Sequence, residues 1–151
     1  MHVVTALTVQ EKVAMLGFLS EHEVRLPPSG DFQAFGSVSA VNHELLGVVA
    51  FNGFWGHVCS IHTAGEGNWI SRTLIWRTFD YPFRQLDMRA LMAPVAASNV
   101  RSYNFIKRMG FKEIHRITDG WDAGDDLIVL QMLRDECPWL AKLDKHFTKY
   151  H

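Results

Sequence analysis

Residues 64–69 read Ala64-Gly65-Glu66-Gly67-Asn68-Trp69. Two glycines this close let the backbone come near a ligand. The apolar spacing Ile70, Leu74, Ile75 and Phe79 predicts a helix directly behind them. Amides at a helix start, aided by the helix dipole, hold anions such as phosphates. Glu66 opposes this unless its carboxylate points away, and Arg72, one turn into the helix, is the candidate for a compensating charge. Asn99 opens a further helix, where Asn is a favoured cap. For proton transfer the candidates are His57, Glu44 and His62, since an imidazole titrates close to neutrality. On an ideal strand His57 and Cys59 share one face and His62 takes the other, though a bulge would change that register. The three therefore make no ligand set, no second Cys or His pair has metal-ligand spacing, and no metal is expected. Cys59 has no basic neighbour in sequence to activate it as a nucleophile.

The elements that must position these groups follow from periodicity. His2 to Leu7 reads as a strand. Thr8-Val9-Gln10-Glu11 has the form of a capping box and opens a helix over about residues 8–23, which Pro27, Pro28 and Gly30 end in a loop. Phe32 to Ala40 and Glu44 to Phe54 form an antiparallel hairpin about Val41-Asn42-His43. Asn52-Gly53 suggests a tight turn closed by Gly56, and His57 to Thr63 is the next strand. After the helix stopped by Pro82, Met88 to Val95 is almost wholly apolar and reads as central in the sheet. The Asn99 helix turns Val100, Tyr103, Ile106 and Met109 inward and ends at Gly110 as a left-handed cap. Phe111 to Thr118 and Asp126 to Leu133 close the sheet around a loop from Asp119 to Asp125, and the tail from Asp135 forms a short helix after Pro138. Strand runs with helices at set points indicate an α+β sheet covered on both faces.

The strand Arg89-Ala90-Leu91-Met92-Ala93-Pro94-Val95, then Asn99-Val100-Arg101-Ser102, then Gly110-Phe111 about three turns on, resembles the second acetyl-CoA motif of the GNAT superfamily of N-acetyltransferases. The glycine loop stands where that superfamily carries its phosphate loop, and the resemblance extends from about residue 2 to 134. It implies a mixed, mostly antiparallel sheet with helices on both faces, whose central strands His57 to Thr63 and Met88 to Val95 splay apart. It implies acetyl-CoA as cosubstrate. The pantetheine arm would pair with backbone near Ile61 and Thr63, where a free amide can bond the thioester oxygen. Gly65, Gly67, Asn68, Trp69 and Arg72 would seat the phosphates, and Asn99 and Ser102 would meet the pantetheine. One or two of Arg101, Lys107, Arg108 and Lys112 would add charge. The superfamily's acid is commonly a Tyr seven residues after the Asn. Ile106 stands there instead, which leaves Tyr103 as the candidate acid. The last hairpin borders the acceptor in this superfamily. Here it holds four aspartates around Trp121, either a rim that draws a cationic amine or a solvated turn shaped by Gly120 and Gly124. The loop wording and Glu136-Cys137-Pro138-Trp139-Leu140 look like small acetyltransferase-like proteins of tailed phages and prophages.

The chain has 151 residues, 48% hydrophobic and 21% charged, which fits one folded domain over 1–151 with residues 135–151 as an extension. With 15 basic against 16 acidic residues there is no basic surplus for nucleic acid. No apolar run reaches the roughly 20 residues of a membrane span, and no leader pattern opens the chain. Two cysteines, Cys59 and Cys137, make no disulfide framework and suggest the cytoplasm. The expected activity is direct acetyl transfer to a primary amine on a small molecule or protein, with a second copy of the chain as a further candidate partner. The alternatives are a CoA-binding sensor with little catalysis and an accessory protein that uses the fold as a scaffold.

Overall fold

A computed structural model describes residues 1–26 and 31–147. The expected Pro27, Pro28 and Gly30 loop lies outside them. Seven strands, β1 (His2–Thr5), β2 (Phe32–Val38), β3 (Leu45–Trp55), β4 (Val58–Gly65), β5 (Ala90–Ala96), β6 (Lys112–Asp122) and β7 (Asp125–Leu133), form one sheet in the order β1-β2-β3-β4-β5-β7-β6. Every neighbouring pair is antiparallel except β4 and β5. This is the expected α+β architecture.

Alternation along the strands sorts their side chains onto two faces. Val48 and Ala50 of β3 pack with Ala64 beneath helix α1 (Val9–Glu21), against Met15 and Leu19. Val49 and Phe51 point the other way, into a larger core with Ile61, Leu91 and Leu130. That core is roofed by Leu74 and Phe79 of α2 (Arg72–Asp80), Ile106 of α3 (Val100–Met109) and Leu140 of α4 (Trp139–Phe147). The capping box is formed: Glu11 N–H donates to Thr8 Oγ1 at 3.1 Å and Thr8 N–H donates to Glu11 Oε1 at 3.0 Å. Gly110 caps α3 at φ 110°, the left-handed region where a side chain would be strained.

Several boundaries differ from the periodicity. Asn52-Gly53 is not a turn. Gly53 takes φ 60° inside β3, the register with β4 shifts there, and the chain reverses only at Gly56-His57. Pro82 ends the α-helical hydrogen bonding of α2, yet the chain stays coiled as a π-helical turn over Tyr81–Gln85. The last two strands run on to Asp122 and from Asp125, so the expected long loop is a tight turn.

One seam matters for function. The parallel β4–β5 ladder pairs Val58 with Ala90, Cys59 with Leu91 and Ser60 with Met92, and goes no further. Beyond it β4 stays paired to β3 as far as Gly47–Gly65, and β5 to β7 as far as Ala96–Leu127. The two central strands therefore part like a V. Pro94 stands on β5 past the last rung. A proline has no N–H for a ladder and is rarely tolerated in a central strand; the open seam gives it a place.

Candidate active site

The V opens into a continuous slot. Its narrow end is a small cavity of about 40 Å³ bordered by Ile61, His62, Pro94 and Ile106. It widens towards the β4–α2 loop into a groove of about 420 Å³ bordered by Gly65, Gly67, Arg101 and Arg108. Thr63, Asn99 and Ser102 border both parts. Along this length, among the described residues, the slot-facing backbone of β4 has no strand partner, which leaves peptide groups able to pair with an extended ligand.

The α3 wall is shaped by its own cap. Asn99 Oδ1 accepts from Ser102 N–H at 3.2 Å, so the carboxamide oxygen is committed to the helix and its NH2 group is left for a ligand. Asn99, Ser102 and Ile106 recur at helical spacing and present one stripe to the slot. At the wide end the loop glycines differ in what they do. Gly67 sits at φ 58° with open space around it, a conformation glycine adopts freely. Gly65 instead underlies the buried Trp69, whose indole also lies across Gly47; a Cβ on either glycine would fall inside the ring. Trp69 also meets Phe105 of α3 at 5.5 Å between centroids. Trp69 therefore props the loop against sheet and helix while bordering the groove. Two cations face it across the slot. Arg101 and Arg108 line the groove, and Arg101 Nη2 reaches Gly65 O at 3.5 Å. Lys107 and Lys112 are engaged elsewhere, over the Tyr103 ring and with Glu136.

Of the three base candidates, the structure brings only His62 to the slot. Burial pushes its imidazole down to about 4, and it bonds Asn52 Oδ1 through Nε2 at 2.7 Å. It is neutral at physiological pH and a weak base. His57 lies at the opposite end of β4, in the turn before it, with Nδ1 2.8 Å from Asp87 O. Glu44 is exposed in the β2–β3 turn, where its N–H donates to Asn42 Oδ1 at 3.1 Å. Tyr103 also turns away: its hydroxyl donates to Glu113 Oε1 at 3.2 Å, beside Arg116. Position 103 is about 100° round the helix from 102 but one turn from 99 and 106, so it is the packing of its ring and the bond to Glu113, not its spacing, that takes it off the slot. Val100, expected inward, is 58% exposed. Arg72 and Asn68 are exposed and do not border the slot. Cys59 is buried, with its thiol pushed up to about 12, and is no nucleophile. Among the described residues no cluster of three metal-ligating side chains occurs.

The four aspartates of the last hairpin all accept hydrogen bonds, Asp122 from Ala123 N–H at 2.8 Å. Asp125 clamps Ser98 through both its N–H and its hydroxyl, Asp126 accepts from Asp119 N–H, and Asp119 accepts from Gly124 N–H. Trp121 does border the narrow end, with the Arg25 guanidinium 5.5 Å from its ring centroid.

The stretch after α1 was not singled out by the sequence. Glu23, at φ 63°, ends the helix in a left-handed conformation unusual for glutamate, and Glu23 and Val24 border both parts of the slot. Strain of this kind collects at functional positions. The signal available in sequence was Pro94, a proline in an otherwise apolar central strand.

The arrangement of strands and helices recurs in solved structures. The fold is that of the GNAT acetyltransferases. A ribosomal-protein-S5-alanine acetyltransferase from Vibrio fischeri superposes with a TM-score of 0.68 at 15% identity, over 91% of this chain and 96% of that one. A spermidine N-acetyltransferase from Vibrio cholerae, solved with CoA and spermine, gives 0.67 at 16% identity, over 89% and 96%. A GNAT-family acetyltransferase from Bacillus anthracis gives 0.57 at 17% identity, over 68% and 67%. No family model and no curated protein matches the sequence. The GNAT fold is thus shared at identities where sequence alone carries little of it.

Proposed function

We propose that the protein is an acetyl-CoA-dependent N-acetyltransferase that moves acetyl directly to a primary amine. The observation that carries this reading is the open β4–β5 seam, flanked by the Asn99 cap and the Gly65–Gly67 loop. A CoA thioester would lie with its phosphates between the loop amides and Arg101 and Arg108. Its pantetheine amides would meet β4 backbone and the Asn99 NH2 group. The thioester would rest at the narrow end near Ile61 and Thr63.

Transfer then needs little from side chains. The amine nitrogen attacks the thioester carbonyl carbon, its oxygen is held by a β4 amide, and the carbon–sulfur bond breaks as the amide forms. Positioning supplies the largest share of such a rate enhancement. The ammonium proton passes to water, because neutral His62 is too weak a base to hold it. The departing sulfur takes a proton from solvent or through the hydroxyls of Thr63 and Ser102. The acceptor approaches the narrow end past Glu23, Arg25 and Trp121. The structural neighbours act on polyamines and on a protein alanine by their descriptions, so both acceptor classes belong in a first panel. The reaction is proposed to take place in the cytoplasm, that of a host cell if the protein is phage-encoded.

One observation favours a second reading, a CoA-binding module with little catalysis: among the described residues no tyrosine borders the slot. The test is to incubate the protein with acetyl-CoA and a panel of N-terminal peptides and polyamines, following free thiol and acetylated product. Product from any member supports the enzyme. Saturable CoA binding with no product supports the module, and no binding rejects both.

A further inference from the structure

An acidic side chain in an anion-binding loop calls for an explanation, and the structure offers one at the end of α1. His22, the C-terminal cap of that helix, stacks on Phe18 with ring centroids 4.3 Å apart and 22° between planes. Its Nδ1 lies 2.8 Å from Phe18 O and its Nε2 lies 2.8 Å from Glu66 Oε1. Both neighbours of the ring are acceptors, a carbonyl and a carboxylate, so both contacts are hydrogen bonds only when the imidazole carries two protons. His22 itself borders the wide groove with Gly65 and Gly67, whereas Glu66, between those glycines in sequence, does not. The carboxylate has been drawn out of the groove onto the outer side of His22.

We infer that His22 is a positioning residue for the cofactor: it holds Glu66 away from the phosphate path. This rests on the CoA-binding reading above. Glu66 is 69% exposed on its side chain, and an exposed ion pair is weak by itself. Here the imidazole is already fixed by the Phe18 ring and carbonyl, so little freedom is lost in holding the carboxylate. Without His22, Glu66 is free to swing over the loop amides, where its charge opposes a pyrophosphate. The other charged groups around the pair are Glu21 and Glu23 on the same turn and Arg101 and Arg108 across the groove.

The test is calorimetric titration of CoA into wild type, His22→Ala, Glu66→Gln and the double variant. Melting curves check that each is folded, and Glu66→Gln alone leaves α1 untouched. The expected result is about a fivefold loss of affinity in His22→Ala that disappears in the Glu66→Gln background. An equal loss from His22→Ala with and without Glu66 would show a purely structural role and overturn the inference, as would no loss at all. If wild type does not bind CoA, the CoA-binding reading itself fails and this inference falls with it.

Discussion

The side chains on the slot divide into those that hold shape and those that carry charge or hydrogen bonds, and single substitutions separate them. Asn99 does both. Asn99→Ala should lower stability by about 1 kcal/mol through the lost cap and weaken CoA binding further through the lost NH2 group, read by melting and calorimetry on the same sample. Stability loss with unchanged affinity would reduce Asn99 to a cap. Tyr103→Phe should leave turnover within about twofold of wild type, because its hydroxyl faces Glu113 and not the slot; a large fall in the maximal rate would restore it as the acid. His62 gives a pH prediction. Its folded value is pushed by burial from 6.5 to about 4, so the unfolded chain takes up this proton first. The contribution to stability is complete above about pH 6.5 and is lost as pH falls towards 4, amounting to roughly 2–3 kcal/mol. His62→Gln, which cannot titrate, should lose less stability than wild type between pH 7 and pH 4.5, measured as urea midpoints. Equal losses would contradict the depressed value.

At the scale of elements, the seam depends on what braces it. Trp69 lies across Gly47 of β3 and Gly65 of β4, and both glycines are needed for the absence of a Cβ. Gly47→Ala should therefore destabilise the fold by about 1–3 kcal/mol through overpacking and loosen the glycine loop, which the indole braces against the sheet beside the Glu66 N–H bond to Leu46 O. A wild-type melting temperature would mean the indole moves aside freely. Much of this level was legible in the sequence. The glycine loop before a helix, the Asn cap, the Gly110 stop and the Thr8 capping box all depend on neighbours within a few residues. The failures have physical causes as well. Asn52-Gly53 was read as a turn because a bulge uses the same left-handed glycine, and only pairing with β4 distinguishes the two. Tyr103 was placed inward because a stripe spaced by three and four covers two adjoining helix faces, and only packing shows which one meets the slot. His57 lies in the turn before β4 and His62 within it, and the sequence does not say at which end of that strand its neighbour parts from it. Glu23 and Arg25 were missed because their role comes from lying opposite β4 and β6, far along the chain.

For the molecule as a whole, the sheet is a stable frame with one deliberate opening, and a ligand filling that opening should tie its halves together. Acetyl-CoA at about a hundredfold excess over Kd should add about 2.7 kcal/mol of stability, a rise of several degrees in melting temperature for a chain of this length. No rise at saturating ligand would favour the scaffold reading over both CoA-binding ones. Among the described residues no helix is long and apolar enough to cross a membrane.

The central claim is that the parted strands receive a CoA thioester, and a crystal structure of the protein with bound CoA tests it most directly. The account predicts the pantetheine arm between β4 and β5, phosphates against Gly65 to Gly67 with Arg101 and Arg108, and sulfur near Ile61 and Thr63. CoA bound on another surface, or β4 and β5 zipped together past Ser60 and Met92 with the slot filled, would contradict it.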